Sequence, residues 1–238
     1  MNQSTQVPLD YPIWSALTTR QAHLRQGDRL ACRYFPEVAP FAAIAPEATA
    51  TAAGWQALHA LLQADEQVAM LSLDDINPID ALNAQRIGAL HQMVAARQAD
   101  ETIDDQGIIH LSESDAPEMF ALAQKAKPGP FGKRTHQMGR YIGIRDAGRL
   151  IAMAGERMQL DGYVEISAVC VDADYRGRGL AGRLVKLLHK QIGLRGDTPF
   201  LHVLSDNHAA IALYRRLGFE QRQAFFLTRI QRANAAAE

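Results

Sequence analysis

Apolar and polar positions along the chain change period several times, and each change predicts an element. Residues 30–44 are apolar-rich but interrupted by Pro36 and Pro40, and an alanine-rich run follows at 45–53. Over 54–64, Trp55, Leu58, Leu61 and Leu62 recur at helical spacing. Residues 67–73 read as a strand, and 79–97 as a second helix, because Leu82, Ile87, Leu90 and Val94 fall on roughly one helical face. The leading half is therefore expected to form a small α/β unit. It contains no recognisable chemical motif.

The polar, acidic stretch 99–106 ends at Gly107 and has the character of a linker. The expected division is a leading α/β unit over 1–106 and a second domain over 107–238. Beyond it, 108–111 reads as a short strand, and Ser112-Glu113-Ser114-Asp115 supplies N-cap candidates for a helix through Met119, Phe120, Leu122 and Ala123, stopped by Pro128-Gly129-Pro130. Strands at 141–145 and 149–157 flank the short turn Asp146-Ala147-Gly148, the pattern of a hairpin. After the turn Asp161-Gly162 come a strand at 163–171, a helix at 179–193, a buried strand at 200–204, a helix at 207–217 and a strand region at 219–230. The tail 233–238 is expected to fray.

Composition narrows the function. Hydrophobic residues are 47% of the 238 and charged residues 21%, the balance of a folded globular protein. With 25 basic against 26 acidic residues, no excess positive charge exists to draw the chain to a phosphate backbone, so nucleic acid is an unpromising partner. No stretch of about 18 apolar residues is found, and residues 1–12 lack a basic region followed by an apolar core, so no membrane association and a cytoplasmic location are expected. Cys32 and Cys170 lie far apart, outside any C-x-x-C pair, and read as small buried hydrophobes. No His, Asp or Glu grouping has metal-ligand spacing, so no metal is expected.

The motif that carries chemistry follows the strand at 163–171. Val171-Asp172-Ala173-Asp174-Tyr175-Arg176-Gly177-Arg178-Gly179-Leu180-Ala181 places a strand end, a polar turn and a glycine-rich helix start in succession. Free N–H groups and the positive dipole end at a helix N-terminus bind phosphate where no side chain blocks the approach, and Gly177 and Gly179 keep it open. Arg176 and Arg178 either add charge there or point into solvent.

Arg176-x-x-Gly179-x-Ala181 resembles the Q/R-x-x-G-x-G/A signature of the GCN5-related N-acetyltransferase superfamily. A second stretch, Asn207-x-x-Ala210-x-x-Leu213-Tyr214-x-x-Leu217-Gly218-Phe219, is similar to that family's fourth-helix motif and the turn after it. The run 136–219, including Thr135-His136-Gln137-Met138-Gly139-Arg140-Tyr141, resembles the FR47-like branch; the resemblance covers about 107–230, and the leading half also looks like that branch's N-terminal region. It implies a mixed central sheet with flanking helices, a splay between the fourth and fifth strands of the second domain, and acetyl-CoA as donor. By the same resemblance Arg176, Gly177, Arg178, Gly179, Leu180 and Ala181 hold the pyrophosphate. The backbone of Val169 and Val171, together with Asn207, holds the pantetheine arm. The resemblance also implies that Tyr214 lies near the sulfur.

Acyl transfer from a thioester to an amine needs a neutral amine, stabilisation of the oxyanion and a proton for the departing thiolate. Tyr214 is the expected general acid, with aromatic packing between Leu213 and Leu217 as its alternative reading. Strict period 2 along 163–171 puts Tyr163, Glu165, Ser167, Val169 and Val171 on one face and Val164, Ile166, Ala168 and Cys170 on the other. The resemblance implies a general base near Glu165, whose pKa partial burial would raise; a salt bridge to an arginine is the competing role. Family acceptor loops are implied around His136, with Arg134 and Phe131 beside it, making these three the substrate-binding candidates.

The expected activity is direct transfer of an acetyl group to a primary amine of a small-molecule or amino-acid-like acceptor. Besides a protein-modifying enzyme, three alternatives stay open. One is a longer or aromatic acyl donor, as in glycine N-acyltransferases, and another is a non-catalytic acyl-CoA sensor. The third is a dinucleotide fold, since Gly177, Gly179 and Gly182 also spell G-x-G-x-x-G; the short remainder of the chain argues against that one. Oligomeric state, a homodimer included, is not legible.

Overall fold

The computed structural model describes residues 7–96 and 103–233. Its first elements are α1 (Val7–Asp10), α2 (Pro12–Thr18), β1 (Arg25–Gly27), β2 (Ala31–Tyr34), β3 (Ala42–Ile44), α3 (Ala52–Leu61), β4 (Gln67–Ser72) and β5 (Leu82–Ala95). Then come β6 (Ile108–Leu111), α4 (Ala116–Ala126), β7 (Tyr141–Asp146), β8 (Arg149–Leu160) and β9 (Tyr163–Val171). The chain closes with α5 (Leu180–Leu194), β10 (Thr198–Leu204), α6 (His208–Arg216) and β11 (Phe219–Arg232). From β6 onward the order of strands and helices is the one the sequence pattern predicts.

The described residues form two compact units: 7–36 with 40–90 and 224–233, and 37–39 with 91–96 and 103–223. This differs from the division expected at 106/107, because β5 and β11 each contribute residues to both units. Of the expected linker, residues 99–102 lie outside the described residues, as do residues 234–238 of the expected frayed tail.

In the first unit β1, β2 and β3 form an antiparallel sheet, and β4 pairs antiparallel with β11, Val68 opposite Ile230 and Met70 opposite Thr228. Helix α3 begins where the Thr51 hydroxyl accepts a hydrogen bond from the Gly54 N–H (3.2 Å). Its Trp55 and Leu58 pack with Ile44, Val68, Met70 and Ile230.

Residues 79–96 do not form the expected helix; 82–95 are strand, and residue 97 lies outside the described residues. A helix with one apolar face would bury Ile87, which is 40% exposed, and Gly88 weakens any helix interior. Leu82 and Met93 are buried in different cores. Pairing with neighbouring strands overrides the weak local periodicity.

The second unit orders its strands β11-β5-β10-β9-β8-β7-β6. A capping box at Ser112 and Asp115 opens the turn into α4, and Lys127 ends that helix in the left-handed region (φ 51°) ahead of Pro128-Gly129-Pro130. Ala147 and Gly148 both have positive φ (46° and 82°), as a two-residue hairpin turn requires. Helix α5 buries Leu184, Val185, Leu188 and Ile192 in a core with Val164, Ile166, Leu201 and Val203. A second core joins Met119 and Leu122 of α4 to Tyr141, Met153, Ala168 and Cys170. Truncating any of these large residues to alanine typically costs about 2–5 kcal/mol.

Strict alternation along β9 fails at Ala168. Gly155 pairs with Ser167 and Met153 with Cys170, so the single Ala154 faces both Ala168 and Val169. Ala168 has φ 52°, a left-handed conformation costing an L-residue about 1–2 kcal/mol. The bulge reverses the faces: Val169 and Val171 pack with Val164 and Ile166 in the α5 core, whereas Ala168 and Cys170 turn to the α4 core.

Candidate active site

The bulge lies where β9 leaves its parallel neighbour. Strands β9 and β10 pair at Tyr163–Thr198, Val164–Pro199 and Glu165–Phe200, and no further. Past Glu165 the β9 edge that would face β10 has backbone groups free for another partner, the expected splay between the fourth and fifth strands of this unit. Val169 and Val171 lie on that stretch, with the glycine loop directly after it. Antiparallel pairing of β9 with β8 also removes the dinucleotide-fold reading, which requires parallel strands here.

In the loop, Gly177 and Gly179 have φ of 76° and 75°, and a side chain at either would meet open space. Gly179 is the N-cap of α5 and no side chain caps that helix. The first-turn N–H groups of Leu180 and Ala181 therefore face an open cradle suited to an anion. The Arg176 Nε donates to the Val171 carbonyl (3.4 Å), while Arg178 lies over the Tyr175 ring (4.7 Å) and donates to the Asp174 carbonyl (3.2 Å). Both guanidiniums are exposed, folded back beside the cradle. The cradle fits a pyrophosphate: it offers donors, carries positive charge, and leaves empty the space a Cβ would fill.

Helix α6 brings Tyr214 to the same core. A Cβ on Gly182 would lie 3.7 Å from Leu213, so α5 and α6 touch in the first turn of α5. Tyr214, Leu180, Val169 and Val171 all border one cluster. Tyr214 is half-buried, packs edge-on against Phe219 (6.2 Å), and desolvation pushes its phenol up to about 12. It keeps its proton at neutral pH. The Asn207 side chain accepts from the Ala210 N–H (3.1 Å) as the N-cap of α6, which commits its carbonyl and leaves its amide group to donate.

Glu165 stands in a line of buried and part-buried polar side chains crossing five adjacent strands. Arg157 on β8 grips it with two bonds, Nε to Oε2 (2.8 Å) and Nη2 to Oε1 (2.5 Å), and the Met158 N–H adds a third (3.4 Å). His202 on β10 meets Oε1 through Nδ1 (2.8 Å), Gln92 on β5 meets the His202 Nε2 (3.2 Å), and Arg222 on β11 donates to the Gln92 carbonyl (3.0 Å). The two arginines fix the direction of the chain. Arg222 claims the Gln92 oxygen, so the Gln92 amide donates to the His202 Nε2, and His202 must carry its proton on Nδ1 toward Glu165.

This overturns the expectation of a raised pKa for Glu165. Complete burial by itself raises it, but the charge and hydrogen bonds of Arg157, with the bond from His202, outweigh that and bring it down to about 2. Both carboxylate oxygens already accept from these partners. The competing role, a structural ion pair with an arginine, is the one the geometry displays.

These features have counterparts in known proteins. The family model described as FR47-like protein matches residues 141–227. N-alpha-acetyltransferase RimI of Mycobacterium tuberculosis is 39% identical over 85 residues, 34% of this chain and 52% of that protein. The ribosomal protein bS18-alanine N-acetyltransferase of Escherichia coli is 32% identical over 120 residues, 48% of this chain and 80% of the relative. A solved structure from Novosphingobium aromaticivorans, assigned to the GNAT family, superposes with a TM-score of 0.88 and 38% identity over 95% of this chain and 99% of that one. The chain belongs to the GCN5-related N-acetyltransferase family. It is an acetyl-CoA-dependent N-acetyltransferase.

In this acetyltransferase the expected acceptor residues do not converge on one point. Phe131 is buried against Tyr141, ring centroids 5.8 Å apart, and belongs to the α4 core, so its ring packs where substrate contact was expected. Arg134 is exposed and donates twice to the Gln137 side chain (2.9 and 3.0 Å). His136 differs: both its ring nitrogens are out of solvent and have no hydrogen-bond partner among the described residues. The segment is held in place by the Thr135 hydroxyl donating to the Val38 carbonyl (2.5 Å) and the Arg134 N–H to the Glu37 carbonyl (2.9 Å).

Sequence reasoning singles out His202, beside His136 and His208, as an alternative proton carrier, and misses the Ala168 bulge and the Gln92 and Arg222 ends of the polar line. Alanine carries no signal for positive φ. Parity on β10 also points to His202, since it interrupts the apolar alternation between Phe200 and Leu204. Among the described residues no helix is long and apolar enough to cross a membrane.

Proposed function

We propose that the enzyme transfers the acetyl group of acetyl-CoA directly to a primary amine of a small, amino-acid-like acceptor. The observation that carries this reading is the parting of β9 from β10 beyond Glu165 and Phe200, beside an uncapped glycine cradle and a protonated tyrosine. In this reading the N–H groups of 177–181 bind the pyrophosphate, with Arg176 and Arg178 adding charge. The peptide groups of Val169 and Val171 and the Asn207 amide align the pantetheine arm. Tyr214 donates its phenolic proton to the departing sulfur.

Direct transfer is supported by the absence of a suitable nucleophile among the cysteines. Cys32 and Cys170 are buried, and burial pushes both thiols up to about 12. Glu165 serves as a positioning residue, fixing Arg157 and His202 and through them the strands that part. With its basicity quenched, the acceptor has to arrive as a neutral amine, so the rate is expected to rise with pH toward the acceptor's own pKa. On the anchored segment 131–138 we assign the unpartnered His136 ring to the polar end of the acceptor. A second reading, an alanine of a ribosomal protein, is favoured by the relationship to the E. coli enzyme.

Thiol release from acetyl-CoA against a panel of amino acids, their amides, simple primary amines and alanine-starting peptides tests both. Preference for free amino-acid-like amines supports the first reading, and turnover confined to peptides replaces it with the second. Parallel assays with benzoyl-CoA rank the acyl donor.

A further inference from the structure

The first unit holds a cavity of about 550 Å³, within the range of small-molecule sites, and every residue lining it belongs to that unit. None of the residues assigned above to acetyl transfer borders it. Its walls are aromatic and aliphatic: Trp14, Trp55, Ile44 and Met70 face it, and the two tryptophans are the only ones in the chain. The Trp55 indole N–H is already satisfied by the Thr49 carbonyl (3.0 Å), so what the two tryptophans offer a ligand is ring surface, chiefly that of the half-buried Trp14. The Ser72 hydroxyl is shielded from solvent and has no hydrogen-bond partner among the described residues. Ser72 follows Met70 on the same face of β4 and also lines the cavity.

Charge decides the class of ligand. Asp10, Asp74 and Asp75 line the cavity, and no lysine, arginine or histidine does. Asp75 is paired with Arg86, whereas Asp74 is exposed and has no ion-pair partner among the described residues. An aromatic box with a negative rim attracts a cation twice, through the carboxylates and through the ring faces, and rejects an anion. We propose that this cavity is a second ligand site, separate from the acetyl-transfer site, that takes a small organic ammonium with an apolar or aromatic body. This inference stands independently of the acceptor assignment.

Because both tryptophans line the cavity, intrinsic fluorescence reports on it. Titration of the full chain with phenethylamine is expected to give a saturable change, with 2-phenylethanol and 3-phenylpropionate each at least tenfold weaker. Asp74→Lys, a change on the exposed rim, is expected to weaken phenethylamine at least fivefold while circular dichroism stays that of the parent. Ser72→Ala is expected to weaken it several-fold. A linear, non-saturating response, equal binding of the three probes, or unchanged amine affinity in Asp74→Lys would each overturn the proposal.

Discussion

Two titratable side chains of the second unit, Glu165 and Tyr214, lie in opposite environments although burial pushes both pKa values upward. Tyr214 borders the apolar α5 core and packs against Phe219, and desolvation acts unopposed, so the phenol holds its proton up to about 12. Glu165 is the more deeply buried, yet Arg157 and His202 reverse the effect and hold it ionised down to about 2. Burial sets the stakes, and partners set the sign. One region is thereby a proton donor that never empties at neutral pH, and the other a fixed charge that never fills. In the proposed mechanism acid chemistry belongs to the first and architecture to the second.

The strongest way to break this contrast is Glu165→Gln. It keeps the shape but leaves the Arg157 guanidinium buried without its counter-charge, and loss of one partner of a buried pair costs about 3–5 kcal/mol. Urea unfolding should show that loss, and a variant as stable as the parent would mean that the ion pair holds nothing together. Tyr214→Phe makes the complementary test. It removes the proton and keeps the ring against Phe219, so kcat should fall about 10²–10³-fold, within the usual range for a positioned acid, while acetyl-CoA affinity changes little. An unchanged kcat with chemistry rate-limiting would reduce Tyr214 to a packing residue. Gly179→Glu places a side chain at φ 75° and a negative charge in the cradle, and acetyl-CoA affinity should drop about 100-fold by titration calorimetry. Normal affinity there would move the pyrophosphate elsewhere.

How much of this was legible depended on how far the deciding interaction reached along the chain. The glycine loop, the α6 motif and the β7–β8 hairpin are local: Gly177, Gly179 and Gly148 announce their backbone conformations, and Tyr214 follows its helix spacing. The strand at 82–95 was misread because its stability comes from neighbours far away in sequence, and a weak 3.6-residue period was the only local clue. Glu165 shows the same limit more sharply. A carboxylate in an apolar strand announces that it has a reason to be there, but the reason lies in Arg157, eight residues back across a turn, and in His202 on a strand beyond the next helix. The Ala168 bulge left no trace, since alanine is ordinary in a strand and its positive φ is imposed by the ladder around it.

Acid titration sharpens the comparison furthest, although its effect at any one pH is the smallest. The folded pKa of Glu165, about 2, lies below the ordinary 4.5, so its ionisation stabilises the fold fully above about pH 4.5, and that contribution drains away as pH falls toward 2. Asp28, Glu66 and Asp115 also have lowered pKa values, from backbone hydrogen bonds and, for Glu66 and Asp115, arginine partners, so acid weakens the parent protein for several reasons at once. Comparison with Glu165→Gln isolates the one site. A protonated glutamic acid and a glutamine are nearly the same shape and equally neutral, so every other carboxylate cancels between the two proteins. The gap in urea midpoint between parent and variant should be constant from pH 7 to 5 and narrow steadily below 4.5. A gap that closes already between pH 7 and 5 would mean that Glu165 takes up its proton in the range of a general base, and would return to it the catalytic role that the ion pair with Arg157 now denies it.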